Sequence, residues 1–132
     1  MSAPTYSHLS IRMPTTAAGT GDVIYACWPY PVGGRVSSLR FTPEVDVTAH
    51  DVNYTDLSVE LDGTEIASEE TTTADTGNLV AGTDIEFALT DSGKGLEVVQ
   101  NSVFSIKKTD AGTGVIAGGT VDILIVADRK GA

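Results

Sequence analysis

The 132-residue sequence predicts an all-β fold, a single β-sandwich of jelly-roll or β-tulip kind built from about eight short strands. Helix signals are almost absent, because no window repeats apolar positions at helical spacing without being broken by Gly, Pro or β-branched clusters. Short apolar or alternating runs recur instead, separated by turn residues at intervals of roughly ten residues. The chain is 41% apolar but only 6% aromatic, so Val, Ile and Leu must fill most of the core.

The strands follow in order. Leu9, Ile11 and Met13 alternate with polar residues and stop at Pro14. The small-residue stretch TTAAGTGD leads to VIYACW (23–28), an uninterrupted apolar run that reads as buried on both faces. Pro29, Pro31, Gly33 and Gly34 break it, since proline cannot donate to a ladder and glycine loosens the backbone. VSSLRF begins at Val36 and closes at Pro43, with Val45 and Val47 alternating beyond. LSVEL, Asp62-Gly63, TEIAS is the clearest hairpin, because Asp-Gly suits the type I′ turn that matches strand twist. EETTTADTGN (69–78) reads as a loop or a fraying strand end. Ile85, Phe87 and Leu89 alternate next, then Asp91-Ser92-Gly93 turns the chain. Short strands at 96–99 and 103–106 flank Asn101-Ser102, and VDILIVA (121–127) is last. It is apolar on both faces, which suits the middle of a packed sheet or a subunit contact.

One domain is expected: residues 1–20 as an N-terminal arm or edge strand, and 21–132 as the sandwich. The arm is rich in Ser, Thr, Ala and Pro, and would be ordered against a neighbouring subunit or as the first edge strand. The N-terminus lacks a basic start followed by an apolar stretch, so no signal peptide is expected, and no run is long enough to cross a bilayer. The single Cys27 lies between Tyr25 and Trp28 and reads as a buried thiol of a chain made in a reducing cytosol.

Charge is distributed unevenly. Residues 1–40 carry +2, residues 41–93 hold thirteen acids and no base, and residues 94–132 carry +1, which sums to −10. A field of that sign repels nucleic acid and anionic lipid, so neither is expected as a partner. The acidic segment reads as a solvated face, with docking to a basic surface or cations as the sharper alternative.

Chemical motifs are sparse. His8 falls at a polar position of the first strand and His50 in AHDVN, and neither has metal-ligand spacing. Cys27 has no histidine nearby, and no serine stands in a Gly-x-Ser-x-Gly context. Asp62 with Glu65, or Asp46 with Asp51 and Asp56, lack the alternating oxygen ligands of a calcium loop. AGTGVIAGGTVDILIVAD (111–128) carries glycines at 112, 114, 118 and 119, but no Gly-Lys-Ser/Thr. A phosphate loop opens onto a helix, whereas VDILIVA favours a strand. Those glycines therefore bend the chain into the last strand. No enzyme activity, metal or cofactor is expected.

LVAGTDIEFALT (79–90), GLEVVQNSVFSIKK (95–108) and AGTGVIAGGTVDILIVAD (111–128) together resemble the decoration (cement) and head-fibre proteins of tailed-bacteriophage capsids. The resemblance covers residues 79–128 and is one of texture: Thr/Gly turns, short apolar strands and small residues. It implies a virion protein, assembled in the host cytoplasm, that binds the outer capsid surface at the major capsid protein, commonly as a homotrimer. Contact residues are then expected in the arm (Tyr6, Leu9, Ile11, Arg12) and in the WPYP loop (Trp28, Tyr30). A core plug is an equal reading of Trp28. The alternative function is a carbohydrate- or receptor-binding module of a fibre or tail, with Tyr25, Trp28, Tyr30 and Tyr54 as stacking candidates.

Overall fold

A computed structural model describes residues 6–13, 22–29, 33–89, 96–110 and 118–127. Nine strands are present among them: β1 (Tyr6–Met13), β2 (Asp22–Cys27), β3 (Gly34–Pro43), β4 (Thr55–Leu61), β5 (Thr64–Glu70), β6 (Ile85–Glu86), β7 (Glu97–Val98), β8 (Val103–Asp110) and β9 (Gly119–Ala127). They form two antiparallel sheets. One has the order β1-β9-β3-β6, with β7 also on β3; the other has the order β2-β8-β4-β5. The fold is the β-sandwich that the sequence predicts.

Period-2 alternation builds the core between the sheets. Ile11 and Met13 on β1, Val121, Ile123 and Ile125 on β9, and Leu39 and Phe41 on β3 supply one inner face. Leu57, Val59 and Leu61 on β4, with Phe104 and Ile106 on β8, supply the other. Full burial of one such side chain contributes about 1.5–3 kcal/mol.

In β3, Val36 and Leu39 are three residues apart, which strict alternation would send to opposite faces. The register shift between Val36 and Ser38 absorbs the extra residue, and Val36, Leu39 and Phe41 are all buried. A second shift, beside Val59, leaves Ile66 as an extra residue on β5, and Ile66 and Ala67 are both buried.

The Asp62-Gly63 turn joins β4 to β5 with φ of 51° and 86°, the two positive values that a type I′ turn demands. At Gly119 the need is for close approach. A Cβ there would collide with the Thr42 carbonyl oxygen and lie 2.9 Å from Pro43 Cα, so a side chain would push β9 off β3. Gly118 and Gly119 feed a strand, as the sequence predicts, while Gly112 and Gly114 lie outside the described residues.

The segment 85–89 is more than one strand. Ile85 pairs with Phe41 in the first sheet, the Phe87 N–H donates to the Leu39 carbonyl at 2.9 Å, and Leu89 bridges Ala67 in the second sheet. Its alternation is real, but it serves a crossing between sheets. Val47 likewise forms an isolated bridge with Leu79.

β9 lies between β1 and β3, the central place its composition predicts. The run 23–28 departs from expectation. Its unbroken apolar character predicts burial on both faces, yet β2 ends its sheet: Val23, Tyr25 and Cys27 are exposed, and only Ile24 and Ala26 pack partly on the core. Cys27 is therefore an exposed thiol, not a buried one. Periodicity cannot separate a central strand from an edge strand whose outer face is apolar.

Candidate interaction surfaces

Residues 6–13 are the first edge strand rather than a detached arm: β1 pairs with β9 from Tyr6↔Val126 to Met13↔Gly119. Its inward side chains serve the chain's own core, with Met13 fully buried, Ile11 nearly so and Leu9 half-buried at the rim. Its outward side chains, His8, Ser10 and Arg12, are exposed. Ser10 donates to Asp122 Oδ1 across the strand pair at 2.5 Å. Arg12 reaches Glu44 Oε2 at 2.7 Å with 72% of its side chain in solvent. Of the contact residues expected here, Arg12 faces outward, whereas Ile11 is buried in the core and Leu9 packs half-buried against it. The Tyr6 side chain lies outside what is described.

Trp28 takes the core reading, at 2% exposure. It follows β2 directly, and its backbone closes that end of the sandwich. The Trp28 N–H donates to the Ser102 carbonyl at 2.8 Å, and the Asn101 N–H donates to the Trp28 carbonyl at 2.9 Å. Asp62 binds the same corner, accepting from the Ser102 hydroxyl and the Val103 N–H, both at 2.8 Å. Tyr30 lies outside the described residues. Tyr54 is half-buried, so Tyr25, at 68%, is the most exposed of the described aromatic stacking candidates.

His50, Asp46, Asp51 and Asp56 hold loops or a strand pair, whereas His8 and Glu65 are exposed. His50 is exposed, and its Nδ1 accepts the backbone N–H groups of Val52 at 3.1 Å and Asn53 at 2.8 Å. Asp51 accepts the N–H and hydroxyl of Thr73, and these bonds hold its carboxyl below the usual carboxylate range. Asp46 accepts the Ala81 N–H at 2.8 Å, and Asp56 accepts the Ser68 hydroxyl at 3.2 Å. Among the described residues, no group of three or more His, Cys, Asp or Glu is arranged to hold a metal ion.

Elsewhere the acids pair with the few bases. Arg40 binds Asp84 at 2.7 Å and Glu86 at 3.3 Å; the Asp84 hydrogen bond and both carboxylate charges hold its proton more tightly than usual. Lys107 meets Glu60 at 2.5 Å on the outer face of the second sheet, and its ammonium is stabilised in the same way.

Two buried ionisable side chains were not singled out from sequence. Lys108 is fully buried on the inner face of β8, in register between Asp22 and Leu57. The alternation of SIKKTD carried the signal, since it puts Lys108 on the same face as Ile106. Glu69, 8% exposed, occupies an inner-face position of β5 opposite Leu57. Its Oε1 accepts the Ala88 N–H at 2.9 Å, which ties β5 to the crossing segment. Burial raises its carboxyl above the ordinary range and the neighbouring Asp75 pushes the same way, while the Ala88 bond opposes both.

No family model matches the chain, and no curated protein matches it. Similarity is found to solved structures of infectious bursal disease virus. The Gx strain structure aligns over 95% of this chain and 32% of that chain, at 15% identity and a TM-score of 0.42. The VP2 subviral particle aligns over 95% and 42%, at 12% identity and a TM-score of 0.27. The Gt strain aligns over 96% and 43%, at 10% identity and a TM-score of 0.25. The chain thus spans about a third of the first structure's chain and less than half of the other two. With scores below 0.5, these likenesses carry no function to this chain.

Proposed function

We propose that this chain is a non-enzymatic structural protein of a virion, a decoration or cement subunit that binds the outer surface of an assembled capsid through its major capsid protein. The observation that carries this reading is the commitment of polar chemistry to the fold. The imidazole of His50 and the carboxylates of Asp46, Asp51, Asp56 and Asp62 each accept hydrogen bonds that fix a loop or a strand pair. What remains on the strands is surface suited to binding: His8 and Arg12 on β1, and Tyr25 on β2. Many small contacts of this kind add up when copies bind side by side on a lattice of sites. The resemblance of residues 79–128 to phage decoration proteins supports the same reading, and that segment supplies strands to both sheets.

The test is co-sedimentation of the purified chain with capsid shells, together with the temperature at which the shells disrupt. Binding that raises this temperature supports the proposal. Absence of shell binding, with retention on a glycan array, overturns it in favour of a carbohydrate-binding module. Deleting β1 is a poor probe because it removes Ile11 and Met13 from the core. Arg12→Glu is the better variant.

A further inference from the structure

We infer that Asp62-Gly63 is a spontaneous isomerisation site that the native corner holds shut, so that isoaspartate forms there when the β4–β5 turn comes away from Ser102 and Val103. It is the sequence's one Asp-Gly pair, and no Asn-Gly pair occurs. The reaction needs the Gly63 nitrogen to reach the side-chain carbon of Asp62. A Cβ on the following residue is the usual obstacle, and glycine has none. Around Gly63 even the place of a Cβ is open, with no atom beyond its chain neighbours within 4 Å, and both residues are exposed. Crowding does not protect this bond.

The chemistry needs no co-reactant besides water. The Gly63 nitrogen bonds to Asp62 Cγ, and its proton leaves with the hydroxyl of the protonated carboxyl as one water, closing a succinimide. One water then opens the ring at the former backbone carbonyl of Asp62. The chain now runs through Asp62 Cβ and Cγ, with the α-carboxylate outside it. Water lost is water regained, so the mass is unchanged.

What protects the bond is a clamp on both carboxylate oxygens. Asp62 Oδ1 accepts the Val103 N–H and Oδ2 accepts the Ser102 hydroxyl, both at 2.8 Å. The Asp62 N–H donates to the Val103 carbonyl at 2.8 Å, so its backbone is fixed to β8 as well. Ser102 is itself buried and accepts the Val99 N–H at 3.0 Å. Asp62 Cγ cannot turn onto the Gly63 nitrogen, nor can an oxygen leave as water, while these bonds stand. Local opening of the corner is therefore the gate. Return is then barred, because the extra methylene lengthens a two-residue turn whose φ values of 51° and 86° keep Leu61 opposite Thr64. The site marks chains that have opened, whatever they bind, and it is read on the purified chain without shells.

The experiment follows isoaspartate at Asp62 by peptide mapping and isoaspartyl methyltransferase labelling in warm neutral buffer. Deamidation of Asn101 is told apart because it changes mass. The samples are folded wild type, wild type in urea, folded Ser102→Ala and folded Gly119→Ala, whose lesion lies in the other sheet. The urea sample should react at least about tenfold faster than the folded one, and Ser102→Ala at least about threefold faster. Gly119→Ala should stay near the wild type. A further readout needs no variant: in sub-denaturing urea the wild-type rate should rise in step with exchange of the Val103 amide proton. Equal rates in folded and urea-treated wild type, a Ser102→Ala rate no higher than that of Gly119→Ala, or a rate indifferent to Val103 exchange overturns the inference.

Discussion

The Asp62 carboxylate and the Ser102 hydroxyl, forty residues apart in sequence, meet at 2.8 Å and join the β4–β5 turn to the turn before β8. Ser102 is 2% exposed, and its oxygen also accepts the Val99 N–H at 3.0 Å. Ser102→Ala leaves that N–H and one Asp62 oxygen without this partner. A loss of about 1–3 kcal/mol is expected, read as a lower urea midpoint at unchanged slope.

Arg12→Ala should behave differently. The Arg12–Glu44 pair is short, but its guanidinium stands largely in water, where such pairs contribute under about 1 kcal/mol. The thermal midpoint should barely move, and shell binding should weaken if β1 contacts the capsid. A large drop in midpoint would instead make Arg12 a structural residue.

Gly119→Ala tests the close approach of β9 to β3. The added methyl group meets the Thr42 carbonyl, Pro43 Cα and Phe41 Cε1, and neither backbone neighbour can swing aside. Overpacking of this kind costs about 1–3 kcal/mol. Equilibrium unfolding measures it, and hydrogen exchange should show loss of protection first at the Gly119 end of β9.

The dependence of stability on pH has two opposed contributions. Glu69 holds its proton more tightly folded than unfolded, so its contribution is full below the unfolded value and is lost as pH rises through the raised one. Asp51 has a depressed value, so its contribution is present above the unfolded value and is lost as pH falls through the depressed one. Glu69→Gln should match the wild type in acid and exceed it near neutrality, whereas Asp51→Asn should lose stability near neutrality and converge in acid. Urea midpoints across a pH series check both signs.

The sequence carried much of the sandwich because its signals are local. Leu57, Val59 and Leu61 alternate, Asp62-Gly63 imposes two positive φ values, and β9 is apolar enough for a central position. The bulges at β3 and β5 were not anticipated. The three-residue spacing from Val36 to Leu39 was visible, but only pairing with β9 gives that irregularity a meaning. Among the candidate contact residues, alternation placed Arg12 at a polar position of its strand. It did not separate Ile11 in the chain's own core from Ile11 at a partner.

β2 marks the boundary between the two kinds of information. VIYACW by itself determined an apolar strand and left Trp28 open between a contact residue and a core plug, and Trp28 is buried. Only the tertiary structure decided that the strand lies at an edge with Val23, Tyr25 and Cys27 facing outward. The physical reason is that side-chain chemistry sets which residues seek burial, whereas the order of strands in a sheet depends on pairings between distant segments. β2 meets β8 through residues about eighty positions away, and no local pattern encodes which strand, if any, lies on its other side.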